Sequence, residues 1–410
     1  MDTPQKIVVI GGGMAGAKTV ESLRSQGYTG ALSLVAAEQH APYERPPLSK
    51  DYLAGESAFE DALVQPEAWY AEHDVDLRLG TRATAIDRDA RTVALDDGSV
   101  LEYDALVLAT GSTPRRSDLP GADAEGVLTL RNREDSDAIR AVGTSGKKLV
   151  VIGGGWIGLE VAAVTRAAGA EVTVLERGQL PLERILGAKV AQVFADLHEA
   201  KGVRLLTDTQ AAEILVEDGH VSGVRLEDDR TLPADAVVVG VGATANLELA
   251  EAAGLELSGG GVAVDATLRT SDPAVYAVGD IAAHDHPVLG RRVRVEHWAT
   301  ALNQPQALAA TILGEPTDYT ELPYFFTDQF DLGMEYIGSA PQDQVASVVV
   351  RGDLPGREFI AFWLDSSGAI LAAMAVNIWE VIDTIKPLIL ERRVVDQQKL
   401  ADPEVELSEL

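Results

Sequence analysis

The chain has no cysteine among its 410 residues. Without a thiol it cannot react through a catalytic cysteine or a redox-active cysteine pair. It also lacks the thiolates that hold an iron–sulfur cluster, and we expect no bound metal. Basic residues are scarce too, because 34 lysines and arginines stand against 64 aspartates and glutamates and leave a formal net charge of −30. That charge argues against nucleic acid as a partner.

Long apolar runs are missing as well. No run approaches the roughly 18 residues that cross a bilayer, so we expect no membrane partner. The N-terminal residues lead directly into an apolar strand and lack the basic and apolar segments of a secretory signal, which makes the cytoplasm the expected location. Hydrophobic residues still make up 46% of the chain, enough to fill the cores of two or three domains at this length.

Glycine, by contrast, is concentrated in two repeated patterns. The first, residues 11–16, follows the apolar segment 7–10 and precedes a predicted helix. Its glycines Gly11, Gly13 and Gly16 let the turn tighten, let a pyrophosphate approach the backbone and leave helix N–H groups free to bind it. A second predicted strand, over 31–36, leads to Glu38, whose carboxylate can accept the two hydroxyls of an adenosine ribose. We call this pattern the first glycine turn.

The second glycine turn, residues 153–158, repeats every part of the first. Its glycines are Gly153, Gly155 and Gly158, an apolar strand over 149–152 precedes it, and a strand over 171–175 leads to Glu176. One such pattern is also typical of a glycine-rich turn without a ligand. Two copies, each in strand, helix, strand and acid order, favour two bound dinucleotides.

Two further segments resemble motifs of the flavoprotein disulfide reductase superfamily. One is the apolar strand and small-residue turn of residues 104–113, and the other is the strand that ends in Gly279 and Asp280. The resemblance implies that Asp280 holds the ribityl chain of FAD. Glutathione, lipoamide and thioredoxin reductases of this superfamily use a cysteine pair, and NADH peroxidases use a single cysteine, so none of these mechanisms is open here. Electrons that reach the flavin must leave directly to an external acceptor.

Four more segments make the resemblance specific. They are the proline-rich loop 42–50 and the stretches 184–187, 294–298 and 325–329. Together they resemble the oxygenase-coupled NADH-dependent ferredoxin reductases. The resemblance implies an enzyme in which NADH transfers a hydride to FAD. The reduced flavin then passes single electrons to a [2Fe-2S] ferredoxin that supplies a cytochrome P450 or a Rieske oxygenase.

The resemblance also assigns site residues. FAD is expected on Ala15, Glu38, Arg45, Lys50, Ala83, Arg131, Asp280 and Trp298. NAD(H) is expected on Gly153, Gly155, Ile157, Gly158, Glu160, Glu176 and Arg184. Lys50 and Glu160 are the catalytic candidates: Lys50, like Arg45, supplies fixed positive charge for a flavin that becomes anionic on reduction, and Glu160 lies near the nicotinamide.

Some of these assignments have plainer alternatives. Arg45 and Lys50 also fit an ordinary solvated loop, and Trp298 also fits core packing. Glu160, read as two residues into a helix, is favoured there by the helix dipole alone. Glu176 predicts a preference for NADH, although Arg177 beside it can pair with a 2′-phosphate. Phe326 stands where family members often carry tryptophan, which leaves the electron exit route open.

The order of segments predicts an α/β fold with two Rossmann-like dinucleotide-binding domains, as in glutathione reductase, plus a C-terminal α+β domain. The expected FAD-binding domain is discontinuous, over 1–112 and 246–322, with a small strand-rich insertion over 75–101. The expected NAD-binding domain covers 113–245 and the C-terminal domain 323–410, whose acidic tail from 402 onwards is expected to be frayed.

Other functions stay open at this point. A reductase resembling rubredoxin or monodehydroascorbate reductases would use a different acceptor. A redox-sensing interaction protein resembling apoptosis-inducing factor would bind NADH to change its assembly. For the ferredoxin reading, the acidity of ferredoxins and of this chain predicts a local basic patch at the docking surface. The candidates are Arg291, Arg292, Arg294, Lys386, Arg392 and Arg393.

Overall fold

The apolar segments before the two glycine turns are each the central strand of a five-stranded parallel sheet. The computed structural model describes residues 3–410. Its contacts divide the chain into two units. The first unit holds Met1–Arg45, Phe59–Thr113 and Thr244–Tyr324, and the second holds Pro46–Ala58, Pro114–Ala243 and Phe325–Leu410.

The central sheet of the first unit explains the apolar runs of the sequence. Its core-facing strands are buried on both sides, as in parallel sheets that helices cover. In spatial order the strands are Val275–Ala277, Ala105–Leu108, Lys6–Ile10, Ala31–Val35 and Val75–Arg78. The helices Met14–Ser25 and Trp298–Ile312 pack against each other beside it.

Smaller elements complete the first unit. Its helical segments are Phe59–Ala62, Glu67–Glu72, Glu248–Ala252 and Gly279–Ile281. A three-stranded antiparallel sheet contains Ala83–Asp87, Thr92–Leu95 and Val100–Glu102. A four-stranded sheet contains Leu257–Ser258, Gly261–Val264, Ala282–His286 and Arg291–Arg294. The predicted insertion over 75–101 was therefore placed too early, because Val75–Arg78 pairs with Ala31–Val35 in the central sheet.

The second unit repeats the parallel sheet around the second glycine turn. Its strands, in spatial order, are Arg204–Leu206, Glu171–Leu175, Lys148–Ile152, Ala236–Val239 and Val127–Leu128. Its helical segments before the C-terminal region are Pro46–Ser49, Asp51–Ala54, Arg133–Val142, Trp156–Ala167, Glu183–Leu186 and Ala188–Ala200. A three-stranded antiparallel sheet holds Ala211–Glu217, His220–Leu226 and Thr231–Pro233. Two short strands, Ser112–Pro114 and Ala243–Ala245, lie where the chain passes from one unit to the other.

The C-terminal region of the second unit is an antiparallel sheet with helices. Its strands, in spatial order, are Tyr324–Gln329, Leu332–Gly338, Ile370–Val376, Glu358–Leu364 and Ser347–Asp353. The helical segments Ile382–Leu390, Gln397–Ala401 and Leu407–Glu409 follow. The predicted architecture of two Rossmann-like domains and a C-terminal α+β domain is confirmed. The three domain boundaries stay a prediction.

The acidic tail is held more firmly than its charge suggested. The guanidinium of Arg351 donates hydrogen bonds to the backbone carbonyls of Asp402, Pro403 and Val405 at 2.7, 3.1 and 2.5 Å. Arg393 donates to the carbonyl of Leu410 at 2.5 Å. The expectation of a frayed tail was therefore wrong. Among residues 3–410 no helix combines the length and the apolar character needed to cross a membrane.

Candidate functional site

The first glycine turn is packed too tightly for side chains. Gly11 has a φ of +124°, and a Cβ added there would lie 2.0 Å from the carbonyl oxygen of Ala109. A Cβ on Gly16 would lie 1.9 Å from the carbonyl oxygen of Gly11. The helix Met14–Ser25 begins directly after Gly13, which has no side chain to cap it. A backbone this close, with uncapped N–H groups, fits the pyrophosphate of a dinucleotide.

The acid beyond this turn belongs to a group of three side chains. Arg45 donates to Glu38 Oε1 at 2.6 Å, and the Tyr43 hydroxyl donates to Glu38 Oε2 at 2.5 Å. Arg45 also donates to the Tyr43 hydroxyl oxygen at 2.6 Å. Burial alone would lower the pKa of Arg45, but Tyr43 and Glu38 outweigh it and raise the pKa. Glu38 and Arg45, predicted separately as FAD residues, are thus brought together, and Tyr43 is a member that the sequence reasoning missed.

The Gly279–Asp280 turn lies against the first glycine turn. Gly279 has a φ of +73°, and a Cβ there would lie 3.0 Å from the Cβ of Ala15. Its N–H donates to Gln304 Oε1 at 2.8 Å, and the carbonyl of Asp280 accepts from Arg294 at 3.0 Å. The structure therefore places the Gly279–Asp280 turn beside Ala15, another residue that the sequence predicts for the FAD site.

Three other predicted FAD residues have less specific surroundings. The indole N–H of Trp298 donates to Glu44 Oε2 at 2.9 Å. Ala83 is buried at the start of the strand Ala83–Asp87. Arg131 belongs to the second unit, where its backbone N–H donates to Asp135 Oδ2 at 2.8 Å, next to the N-cap Asn132 of the helix Arg133–Val142.

The second glycine turn repeats the close packing of the first. A Cβ on Gly153 would lie 2.5 Å from the carbonyl oxygen of Gly240, and one on Gly158 would lie 2.1 Å from that of Gly153. The acid, however, is held by backbone groups. Glu176 Oε2 accepts from the N–H of Gly154 at 3.0 Å, and Oε1 accepts from the N–H of Gly178 at 2.7 Å.

Other predicted NAD residues lie around this turn. Ile157, in the first turn of the helix Trp156–Ala167, exposes 46% of its surface and is therefore accessible beside this turn. Arg177 is exposed directly after Glu176. Arg184 lies in the short helix Glu183–Leu186, and its carbonyl accepts from Gln342 at 2.5 Å.

The two catalytic candidates form one buried ion pair. Lys50 Nζ lies 2.8 Å from Glu160 Oε2, and their side chains are only 12% and 4% exposed. Ser49 donates to the same oxygen at 2.5 Å, and Thr327 donates to Glu160 Oε1 at 2.5 Å. We call these four residues the Glu160 cluster. A buried charge needs such partners, because desolvation otherwise opposes it.

Phe326 and Asp328 lie next to this cluster. The ammonium of Lys50 is 5.5 Å from the centre of the Phe326 ring, a cation–π distance. The pKa of the Asp328 carboxyl is raised, mainly by burial. Lys50 opposes this shift, while Glu160 and Asp51 add to it. Phe326 therefore contacts the ammonium of Lys50, which also forms the ion pair with Glu160.

Sequence reasoning named Lys50 and Glu160 but not their pairing. It also placed Glu160 two residues into its helix, whereas the helix begins at Trp156 and Glu160 lies a full turn inside. Its surroundings are thus side chains rather than the free N–H groups of a helix start. Ser49 and Thr327 were missed, although each is next to a residue that the motifs had singled out.

The predicted basic patch is weakened by internal ion pairs. Arg292 binds both oxygens of Asp285 at 2.8 Å. Arg294 pairs with Glu296, and Arg393 pairs with Glu391 at 2.6 Å. These carboxylates compensate much of the positive charge that was expected to attract an acidic partner.

Comparison with known proteins identifies two family matches. Residues 5–304 match the pyridine nucleotide-disulphide oxidoreductase family, and residues 324–410 match the reductase C-terminal family. The ferredoxin–NAD(+) reductase component of an anthranilate 1,2-dioxygenase system from Burkholderia cepacia is 42% identical over 98% of this chain and 98% of its own length. Putidaredoxin reductase from Pseudomonas putida is 37% identical, over 100% of this chain and 97% of its own.

A solved structure shows the same similarity in three dimensions. The crystal structure of the covalent putidaredoxin reductase–putidaredoxin complex contains a chain that matches with a TM-score of 0.95 at 36% identity. The match covers 99% of this chain and 97% of that chain.

Proposed function

Because the chain belongs to the pyridine nucleotide-disulphide oxidoreductases, among the ferredoxin reductases of oxygenase systems, we propose that it transfers electrons from NADH through FAD to a [2Fe-2S] ferredoxin. The ferredoxin would in turn supply a cytochrome P450 or a Rieske oxygenase. The observation that carries the proposal is the presence of two complete glycine turns on a chain with no cysteine. Such a chain can bind both nucleotides but cannot relay electrons through thiols.

FAD belongs, in this proposal, to the first glycine turn. Gly11, Gly13 and Gly16 allow the pyrophosphate to approach the backbone, and the adjoining Ala15 and Asp280 suit the neighbouring part of the cofactor. Glu38 keeps further lone pairs for ribose hydroxyls beside its two bonds to Arg45 and Tyr43. Ala83 and Trp298 are additional candidates in the same unit. Lys50 and Arg131 belong to the second unit and stay predictions. Bound FAD would accept two electrons from NADH and release them singly.

NADH belongs to the second glycine turn. Gly153, Gly155 and Gly158 would admit its pyrophosphate, and Glu176 would accept from its ribose hydroxyls. Ile157 and Arg184 are neighbouring candidates. Lys50 and Glu160 are the proposed catalytic residues. Since the structure pairs them, Lys50 acts as half of a buried ion pair and not as an isolated cation.

We also propose that the protein acts in the cytoplasm, where metabolism regenerates NADH. Cell fractionation with an antibody against the protein tests this directly. Recovery in a compartment that lacks an NADH supply would contradict it.

Purification tests the central part of the proposal. The protein is expected to be yellow, with one FAD and no metal per chain, and anaerobic NADH is expected to bleach the flavin absorbance. A colourless protein that takes up no FAD on reconstitution would overturn the assignment of the first turn. A yellow protein that NADH does not bleach would overturn the assignment of the second.

A further inference from the structure

Behind the Glu160 cluster lies a row of buried polar side chains. Thr327 Oγ1, which donates to Glu160, accepts a hydrogen bond from Gln329 Nε2 at 3.2 Å. Gln329 Oε1 lies 2.9 Å from His198 Nε2. Thr327, Gln329 and His198 are 1%, 0% and 0% exposed. We call these three residues the Thr327 chain.

All donors in this chain point the same way. The single hydroxyl hydrogen of Thr327 is used on Glu160, so its oxygen accepts from the amide of Gln329. The amide oxygen of Gln329 then faces His198, whose Nε2 must carry the hydrogen. Aligned hydrogen bonds polarise one another, and here they end on a carboxylate oxygen.

Burying these three polar side chains in an apolar core lowers the stability of the fold, which indicates that they serve a function other than packing. Phe194 and Leu197, on the helix that carries His198, belong to the apolar core of the unit, as do Leu332 and Met334 on the strand after Gln329. His198 Nδ1 has no hydrogen-bond partner among residues 3–410. Burial lowers the pKa of His198, in keeping with a neutral ring. Neither the helix nor the sheet needs these polar groups, since apolar residues of similar size would pack there without unpaired atoms.

We propose that the Thr327 chain is a positioning device that fixes Glu160 against Lys50 and thereby sets the rate at which NADH reduces the flavin. Thr327 holds Oε1, while Ser49 and Lys50 hold Oε2, so the carboxylate is fixed at both ends. Gln329 and His198 act through Thr327, because their side-chain hydrogen bonds run to Thr327 and to each other. This inference rests on the proposed function, because Glu160 is taken as a residue of the NADH reaction.

The test compares Thr327→Val with a matched control. Thr165 is also a buried threonine of the second unit, but its hydroxyl donates only to the carbonyl of Val161, at 2.7 Å. In single-turnover reduction by NADH, Thr327→Val is expected to lower the limiting rate about tenfold, since it removes a buried hydrogen bond to a charged group. The NADH concentration for half-maximal rate is expected to change less than about twofold, and Thr327→Ser is expected to restore the rate.

His198→Leu tests whether the residues act as one chain. Alone it is expected to lower the limiting rate about threefold, because it acts two links away. Combined with Thr327→Val it is expected to cause no further loss of rate, since the hydrogen bond from Thr327 to Glu160 is already absent. Thermal unfolding, FAD content and the NAD⁺ dissociation constant of each oxidised variant are measured alongside. FAD content and the dissociation constant are expected to match Thr165→Val, and the midpoint of thermal unfolding is expected to fall but to stay above the assay temperature.

Several results would overturn the inference. One is a Thr327→Val rate equal to that of Thr165→Val, and another is independent, multiplicative losses in the double variant. A loss that tracks unfolding or FAD release, with no rescue by serine, would reduce Thr327 to a structural residue. If NADH fails to bleach even the unsubstituted protein, the proposed function itself fails and the inference falls with it.

Discussion

In the first glycine turn the acid Glu38 is held by the side chains of Arg45 and Tyr43, whereas in the second the acid Glu176 is held by backbone N–H groups. The glycines of the two turns otherwise make equivalent close contacts with backbone carbonyls. Backbone donors are fixed by the turn, so the position of Glu176 is built into its fold. The position of Glu38 depends on a loop residue, which links the first turn to the proline-rich segment.

The largest expected difference between the two turns comes from adding one methyl group to a glycine of each. Gly16→Ala places a Cβ 1.9 Å from a carbonyl oxygen, and Gly158→Ala places one at 2.1 Å, so both turns must open. We expect Gly16→Ala to be purified without FAD. We expect Gly158→Ala to keep FAD and lose its reduction by NADH. Absorbance spectra before and after NADH measure both, and each variant is the control for the other. Loss of FAD from both would contradict separate sites.

The buried ion pair beside the second turn gives the next largest effect. Lys50→Met leaves Glu160 without its cation and is expected to lower the free energy of unfolding by about 3 kcal/mol. Adding Glu160→Gln removes the unpaired charge and is expected to recover much of that loss without restoring flavin reduction by NADH. Denaturant unfolding measures the first effect and single-turnover reduction the second. A Lys50→Met protein as stable as the original would show that the pair is not buried as described.

Acid is expected to act on the first unit through His284. Burial, with a smaller contribution from His286, lowers the pKa of His284 from 6.5 to about 4. Between pH 6.5 and about pH 4, His284 is therefore protonated in the unfolded chain but neutral in the folded state. The resulting loss of stability begins as pH falls below about 6.5 and reaches about 3 kcal/mol near the folded pKa. Unfolding curves between neutral and acid pH, compared with His284→Gln, measure it. Identical pH profiles for both proteins would contradict the assignment.

Nucleotide choice shows the smallest of these effects. Glu176 is fixed by two backbone donors, so its charge should meet a 2′-phosphate directly and favour NADH. Glu176→Ala is expected to reduce the NADH over NADPH ratio of kcat/KM about tenfold, and Arg177→Ala to increase it slightly. An unchanged ratio in Glu176→Ala would place the discrimination elsewhere.

Local patterns predicted the strands that flank the two glycine turns, the turns themselves and their acids, because apolar runs, glycines and terminal carboxylates are contiguous in sequence. The pairing of Lys50 with Glu160 could not be predicted this way, since it depends on how a loop and a helix far apart in the chain pack. The same holds for Thr327, Gln329 and His198. The strand Val75–Arg78 was misplaced because its partner, Ala31–Val35, is remote in sequence. The tail was misjudged because the prediction rested on its charge, whereas Arg351 binds backbone carbonyls of the tail, which do not depend on that charge.

The central claim is that electrons from NADH leave this protein to a ferredoxin. The most direct measurement is anaerobic reduction of purified [2Fe-2S] ferredoxins from the same genome by NADH and catalytic amounts of the protein, with rubredoxin as a parallel acceptor. We expect at least one ferredoxin to be reduced at a rate that depends on NADH, and to be preferred over rubredoxin. Reduction of ferricyanide by NADH with no reduction of any ferredoxin would contradict the claim.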